Sequence, residues 1–298
     1  MAYSFSVMAT EIPQTICPII ETEVSPDIDY SFIKPGAGYD QQKMAHIVSM
    51  IDDLYRNEDN INIRRAACEL AVISTFGQET AYENDFYVSS TYLNEKEFLR
   101  LSSTFLIENH ATFFSGNNDG IFLYIGKDES FYDKLVTFYE EAKALKANVI
   151  HLPDKEKAEK IHDYICERMS YDTTLTKRPM ISSFIEGKAL CEDYAGLFYV
   201  LGTYCDLNVN TVYGPTTYSF HAWNEVQIDG EWYYTDLTWD DTLGNKNYLY
   251  FKEDKDHLPL LHDDFLMLRN IYRESTAMNI EQYLNYQIKK AQEQSTGM

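Results

Sequence analysis

Three residues in the second half of the chain could together carry thiol chemistry. They are Cys191 in "GKALCEDYAGLF", His221 in "FHAWNEV" and Asp236 in "YYTDLTWDD". A cysteine nucleophile is activated by an adjacent base, and that base is in turn oriented by a third group. The order Cys, His, Asp therefore suggests such a site, provided that the fold brings the three side chains together.

The histidine and the aspartate are expected to meet across a β-hairpin. Asp229-Gly230 is a strong two-residue turn signal because both positions must take positive φ. With this turn, the residue numbers of two partners paired across the strands add up to 459. Side chains alternate between the two faces of the sheet. His221 and Asp236 then become diagonal neighbours with Cα atoms ~7–8 Å apart, and a slip of one residue would separate them. The face is predicted to carry His221, Trp223, Asp236 and Thr238.

The cysteine is expected at the start of a helix. The pattern of Asp193, Ala195, Phe198 and Leu201 without proline predicts a helix over residues 191–204, with Cys191 in its first turn. Unpaired backbone N–H groups and the helix dipole at that end favour a thiolate. The same N–H groups can stabilise an oxyanion.

Other elements are read from hydrophobic periodicity. The first half is mixed and mainly helical, and the second half adds several strands. A soft domain boundary is placed near residue 150, dividing the chain into 1–150 and 151–298. Helices are predicted over 40–56, 63–76 and 129–149, from Pro153-Asp154 onward and from 263; strands are predicted over 120–126, 209–214, 220–229, 231–238 and 247–251.

Composition excludes several classes of protein. The chain has 298 residues, a formal net charge of −22 and no Lys/Arg-rich run, so nucleic-acid binding is not expected. Five scattered cysteines without a CxxC pair argue against a disulfide framework or a zinc site. No apolar run approaches the ~18 residues of a membrane span. No export signal is legible, which leaves the compartment open.

A second cysteine–histidine pair is an alternative candidate site. His162 and Cys166 are four residues apart on a predicted helix, so their side chains are neighbours. That spacing suits a nucleophile pair or half of a structural metal site. Met169 and Ile161 indicate, however, that Cys166 lies near the buried edge of the helix.

The stretch "GKALCEDYAGLFYVLGTYCDL…VYG…FHAWNEVQIDGEWYYTDLTWDD" resembles the core of the transglutaminase-like superfamily, bacterial branch. The upstream "KIHDYICERMSYD" resembles the helix that precedes the cysteine in those proteins. The resemblance covers residues 150–255, and the first half carries no recognised motif. It implies an α+β, papain-like fold in which a cysteine-bearing helix packs against an antiparallel sheet.

The resemblance also implies roles for the three residues. Cys191 would attack an amide carbonyl, His221 would move the proton, and Asp236 would orient the imidazole, without any cofactor or metal. Tyr171 is a candidate oxyanion donor, although capping or packing of the helix end is the favoured interpretation of this residue. Trp223 would either wall the cleft or pack beside the histidine.

The substrate and the final acceptor are left open by the sequence. Water would give a cysteine peptidase or amidase, which we favour, and a lysine amine would give cross-linking. The expected partner is a peptide or protein, with cell-wall peptide among the candidates, and the resemblance favours an extracytoplasmic location. The alternative is a non-catalytic module that binds peptide or cell-wall fragments in the same cleft.

Overall fold

The computed structural model describes residues 29–31, 33–77, 86–88, 101, 121–123, 128, 130–176, 178–215, 220–243 and 250–251. The helices within these ranges are α1 (Gln41–Leu54), α2 (Ile61–Phe76), α3 (Phe131–Val149), α4 (Asp154–Arg168), α5 (Met180–Glu186), α6 (Cys191–Tyr204) and α7 (Leu237–Leu243). The strands are β1 (Phe86–Val88), β2 (Ile121–Leu123), β3 (Ser170–Tyr171), β4 (Lys188–Ala189), β5 (Asn208–Pro215), β6 (Phe220–Ile228), β7 (Glu231–Thr235) and β8 (Tyr250–Phe251).

The main sheet is antiparallel, with strand order β5-β6-β7-β8. Its central hairpin turns at Asp229 and Gly230, whose φ angles of 52° and 86° suit a turn that requires positive φ at both positions. Ile228 pairs with Glu231 and Asn224 pairs with Thr235. The predicted register, with positions summing to 459, is therefore confirmed.

The prediction of one strand over 231–238 is wrong beyond Thr235. Strand β7 stops there, and helix α7 begins at Leu237. Asp236 caps this helix, because its carboxylate oxygen Oδ1 accepts a hydrogen bond from the Trp239 N–H at 3.1 Å. Asp236 and Thr238 consequently do not pair across the ladder with Trp223 and His221. The capped helix α7 therefore forms at this position in place of a continued strand.

Helix α6 packs directly on the sheet and is buried along nearly its whole length. The approach to β5 is close at Gly202, where an added Cβ would lie 2.9 Å from a methyl group of Val209. A glycine at this position therefore permits the tight helix–strand contact. The cysteine-bearing helix and the antiparallel sheet form the α+β arrangement that was predicted.

The helices of the first half share one hydrophobic core with α4, α5 and α6. Helix α1 is capped by Asp40, which accepts from the N–H groups of Gln42 and Lys43, and α2 is capped by Asn60. The predicted helices over 40–56, 63–76 and 129–149 are confirmed. The domain boundary near 150 stays a prediction, and the helix predicted from 263 lies outside the described residues.

Among the residues that the structure describes, no helix has the length and apolar character needed to cross a bilayer.

Asn224 ties the sheet to the cysteine-bearing helix. Its buried side-chain amide donates to the Ala195 carbonyl of α6 at 2.9 Å and to the Asn210 carbonyl of β5 at 3.3 Å. We expect Asn224→Ala to lower the free energy of unfolding by about 1–3 kcal/mol, because buried hydrogen bonds are lost. Urea denaturation measures this change. The control Asn208→Ala removes an exposed amide from the same sheet and should change stability by less than about 0.5 kcal/mol; equal losses would contradict a special role for Asn224.

Candidate active site

Cys191 is the first residue of helix α6, as predicted. The chain arrives through β4, which pairs in parallel with β3, and Leu190 is extended immediately before the helix. The Asp193 carboxylate accepts a hydrogen bond from the Leu190 N–H at 2.8 Å and so braces the turn that carries the cysteine. Burial is the main cause that raises the pKa of this carboxyl to about 7. Asp193 lies two residues from Cys191, and sequence reasoning missed this bracing role.

His221 and Asp236 form a buried hydrogen-bonded pair. The ring nitrogen Nε2 of His221 lies 2.7 Å from Oδ2 of Asp236, and the two residues are 5% and 0% exposed. The two residues were predicted to meet as strand neighbours. They meet instead because β7 ends at Thr235 and the cap of α7 directs the Asp236 carboxylate toward β6.

The Cys191 thiol also influences the pKa of the imidazole. Burial by itself lowers the pKa of His221, but hydrogen bonds to Asp236 and Cys191, together with their negative charges, outweigh this effect and raise it to about 9. Since Asp236 occupies Nε2, Nδ1 is the nitrogen that remains for the thiol. The imidazole therefore interacts with both Asp236 and Cys191, and its pKa of about 9 keeps it protonated at neutral pH. An imidazolium beside a thiol favours the thiolate.

Two tryptophans stack with the imidazole. The ring centroid of Trp223 lies 6.1 Å from that of His221 at an interplanar angle of 19°, and that of Trp239 lies 5.6 Å away at 17°. Trp223 is 1% exposed and therefore packs beneath the site, whereas Trp239 is half-buried. Sequence reasoning missed Trp239, because a continued strand would have placed it on the face opposite Asp236. The aspartate three residues earlier, at a potential helix cap, was the available signal.

Tyr171 lies on β3 beside the strand that leads into Cys191. Burial and then the charge of Cys191 raise the pKa of the Tyr171 phenol. The hydroxyl thus stays protonated at neutral pH and can donate a hydrogen bond. The side chain is half-buried, which leaves part of it available to a ligand near Cys191.

The competing pair also lies close together, but in a different setting. The sulfur of Cys166 is 4.0 Å from Nδ1 and 3.9 Å from Nε2 of His162. These nearly equal distances do not align the thiol with one ring nitrogen, as proton transfer requires. Nε2 of His162 lies 3.0 Å from Oδ2 of Asp240, and the Cys166 sulfur lies 3.7 Å from the Leu237 carbonyl. Both side chains therefore contact helix α7.

No group of three or more His, Cys, Asp or Glu side chains in the described part of the chain is arranged to hold a metal ion.

Comparison with known proteins gives one family match. Residues 143–237, which include Cys191, His221 and Asp236, match the model of the Transglutaminase-like superfamily. The matched segment also includes β3, with Tyr171, and ends at the start of α7. A search of curated proteins gives no match.

Several solved structures are similar to parts of the chain. A proposed cysteine protease from Cytophaga hutchinsonii is 22% identical over 33% of this chain and 37% of its own, with a TM-score of 0.31. A proposed protease from Parabacteroides distasonis ATCC 8503 is 13% identical over 43% and 30%, with a TM-score of 0.27. A TGase is 15% identical over 56% and 53%, with a TM-score of 0.28.

The chain thus spans between about a third and a half of the length of these solved relatives. At such TM-scores the likenesses say nothing about activity or substrate. The family match is independent of them and falls on the segment in which helix α6 packs on the antiparallel sheet. Residues 143–237 of this chain are therefore similar to the transglutaminase-like superfamily.

Proposed function

We propose that this protein is a cysteine-dependent acyl-transfer enzyme that acts on amide bonds of peptides or proteins. One observation carries the proposal: the His221 ring is hydrogen-bonded to the Asp236 carboxylate at 2.7 Å, and the nearby Cys191 thiol contributes to the raised pKa of the same ring. Cys191 is only partly buried, so a substrate can reach it. A binding module would have no need of a protonated imidazole beside a partly exposed thiol at a helix start.

The reaction begins with attack of the Cys191 sulfur on the amide carbonyl carbon. The oxyanion is stabilised by the Cys191 backbone N–H, and the Tyr171 hydroxyl provides a second donor. His221 then gives its proton to the amide nitrogen, the C–N bond breaks, and the amine leaves with a thioester on Cys191. Asp236 holds Nε2 throughout, so that Nδ1 exchanges the proton with sulfur and amine.

The thioester is resolved by water in our proposal. His221, now neutral, takes a proton from the water, hydroxide oxygen bonds to the acyl carbon, and the thiolate leaves. The acid product is released, which makes the enzyme a peptidase or amidase. A lysine amine in place of water would give a cross-link by the same steps.

Selective alkylation tests the reactive thiol. Iodoacetamide at neutral pH should label Cys191 before Cys68 and Cys205, because these two are buried and burial raises their thiol pKa values, that of Cys205 to about 12. Peptide mapping by mass spectrometry reads out the order of labelling. Slow and equal labelling of all thiols would contradict an activated Cys191.

A peptide-library screen then tests the reaction itself. Cleaved peptides from the wild type, and none from Cys191→Ala, would support hydrolysis. Adding a primary amine during the screen separates the two acceptors, since incorporation of the amine at a glutamine side chain would identify a cross-linking enzyme. Absence of both products from peptides, protein substrates and cell-wall peptides would favour the binding module.

Tyr171→Phe tests the side-chain oxyanion donor. We expect turnover to fall by about 10²-fold, because one donor to the developing negative charge is removed. The rate of Cys191 alkylation should stay near that of the wild type, since iodoacetamide forms no tetrahedral oxyanion. Unchanged turnover would assign Tyr171 to packing alone.

A further inference from the structure

Helix α7 is short, yet its first turn determines where the Asp236 carboxylate points. Oδ1 of Asp236 accepts from the Trp239 N–H, and the Asp236 carbonyl accepts from the Asp240 N–H at 3.1 Å. Strand β7 ends one residue before Asp236. The sheet therefore holds this residue only from its N-terminal side, and α7 must be held by other contacts.

One such contact is a second buried histidine–aspartate pair. Nε2 of His162 on α4 lies 3.0 Å from Oδ2 of Asp240 on α7. His162 is 1% exposed and Asp240 is 3% exposed. A buried polar pair is costly to break, because the remaining partner is left without its hydrogen bond. It also has directional geometry, which fixes both the position and the rotation of a short helix.

Two further contacts hold the same helix. The Cys166 thiol, one turn after His162, donates to the Leu237 carbonyl at 3.7 Å. Further along α7, the Tyr194 hydroxyl of α6 donates to Oδ2 of Asp241. Helix α7 is thus attached to α4 and to the helix that carries Cys191. The His162–Asp240 pair is linked directly to Asp236, because the Asp240 N–H donates to the Asp236 carbonyl at 3.1 Å.

We propose that His162 is a positioning residue for the candidate triad: by hydrogen-bonding Asp240 it fixes helix α7, whose first turn aims the Asp236 carboxylate at His221. This inference rests on the proposed function, because it assigns a catalytic purpose to the His221–Asp236 pair. His162 itself is bonded to Asp240 and takes no part in proton transfer. The pair of residues at 162 and 166 therefore serves the site at Cys191 and is not a second nucleophile.

The test compares three variants of the pair by the titration of the His221 ring. Asp240→Ala removes the contact with His162. Asp240→Asn keeps a side chain of the same size that can still hydrogen-bond to the imidazole. His162→Phe combined with Asp240→Leu replaces both polar groups by apolar ones, leaves neither partner unpaired and is the variant most able to fold.

Histidine-selective NMR on the whole chain follows the His221 ring, assigned by its loss in His221→Ala. Asp240→Ala and the apolar double variant should lower the His221 pKa by about one unit or more, because the Asp236 carboxylate no longer lies in place to offset burial. Asp240→Asn should restore most of the wild-type value. Tyr139→Phe is the control, since it removes a hydrogen bond between α3 and Asp53 of α1 and should leave the His221 pKa unchanged.

The outcomes separate the two proposals. An unchanged His221 pKa in a folded Asp240→Ala or double variant would overturn the positioning role, regardless of the enzymatic activity that is measured. A lowered His221 pKa in these variants would support the positioning of Asp236. If Cys191 of the wild-type protein were in addition not selectively alkylated, the proposed function would be overturned. A fall of the same size in Tyr139→Phe would show a general loss of stability and would also overturn the inference.

Discussion

Replacing His221 with alanine is expected to slow alkylation of Cys191 by about 10²-fold or more and turnover by about 10³-fold, the range for loss of a general base. The substitution removes the imidazole that interacts with Cys191 and that, as an imidazolium, would favour a neighbouring thiolate. The amine would then leave without a proton donor, so turnover falls further than alkylation. Timed iodoacetamide labelling and a peptide-cleavage assay measure the two rates.

His46→Ala is the matched control for this variant. His46 is half-buried on α1, and its Nδ1 lies 2.8 Å from the Tyr132 hydroxyl. The substitution removes an imidazole and one hydrogen bond far along the chain from Cys191, so both rates should stay near those of the wild type. Wild-type labelling of Cys191 in His221→Ala would contradict the activation of the thiol by this residue.

Asp236→Asn is expected to lower turnover by about 10²–10⁴-fold, as in other triads where the orienting carboxylate becomes an amide. The amide carries no charge, and its NH₂ group can donate to Nε2 and so favour the tautomer with a proton on Nδ1. That tautomer cannot accept a proton from the thiol or from water. The His221 pKa should fall from about 9 toward or below its ordinary value of 6.5, because burial then acts with less opposition.

The same variant has a pH-dependent effect on stability. The folded-state pKa of His221 lies above its ordinary value, so the pair contributes its full stability below about pH 6.5 and loses it as pH rises through about 9. The difference in unfolding free energy between wild type and Asp236→Asn should therefore be largest at pH 6 and shrink above pH 9. Urea denaturation at both pH values measures it.

Asp229→Asn provides the control for charge alone. It also removes one carboxylate, but at the exposed hairpin turn, where asparagine accepts positive φ as readily as aspartate. Neither turnover nor the pH dependence of stability should change. A stability difference at Asp236 that grew with rising pH would contradict the ion pair between His221 and Asp236.

Several features of the site could be predicted from short-range signals in the sequence. The turn at Asp229-Gly230 set the register of β6 against β7, because few other residues accept positive φ at two successive positions. The start of α6 at Cys191 followed from helical periodicity within a single segment. Each of these signals involves residues close together in the chain, so no tertiary contact was needed to interpret them.

The strand predicted through Asp236 shows where such reasoning fails. The residues "EWYYTDLT" alternate well enough to continue a strand, and aspartate is also a good helix cap. Packing decided between the two. Helix α7 is held by His162 and Tyr194, which lie 78 and 47 residues away from Asp240 and Asp241 in the chain. The position of Trp239 beside His221 depends on the same helix.

By itself, the sequence determined the cysteine-first helix and the hairpin with its register, because these depend on short-range geometry, whereas the packing of that helix on the sheet was implied only by the resemblance. Only the tertiary structure decided how Asp236 reaches His221, that Trp223 is buried while Trp239 is half-buried, and that His162 and Cys166 contact α7. Those features depend on contacts between side chains that are distant in sequence. Such contacts contribute to stability only after burial has excluded water, since a buried polar group then needs a hydrogen-bond partner within the protein.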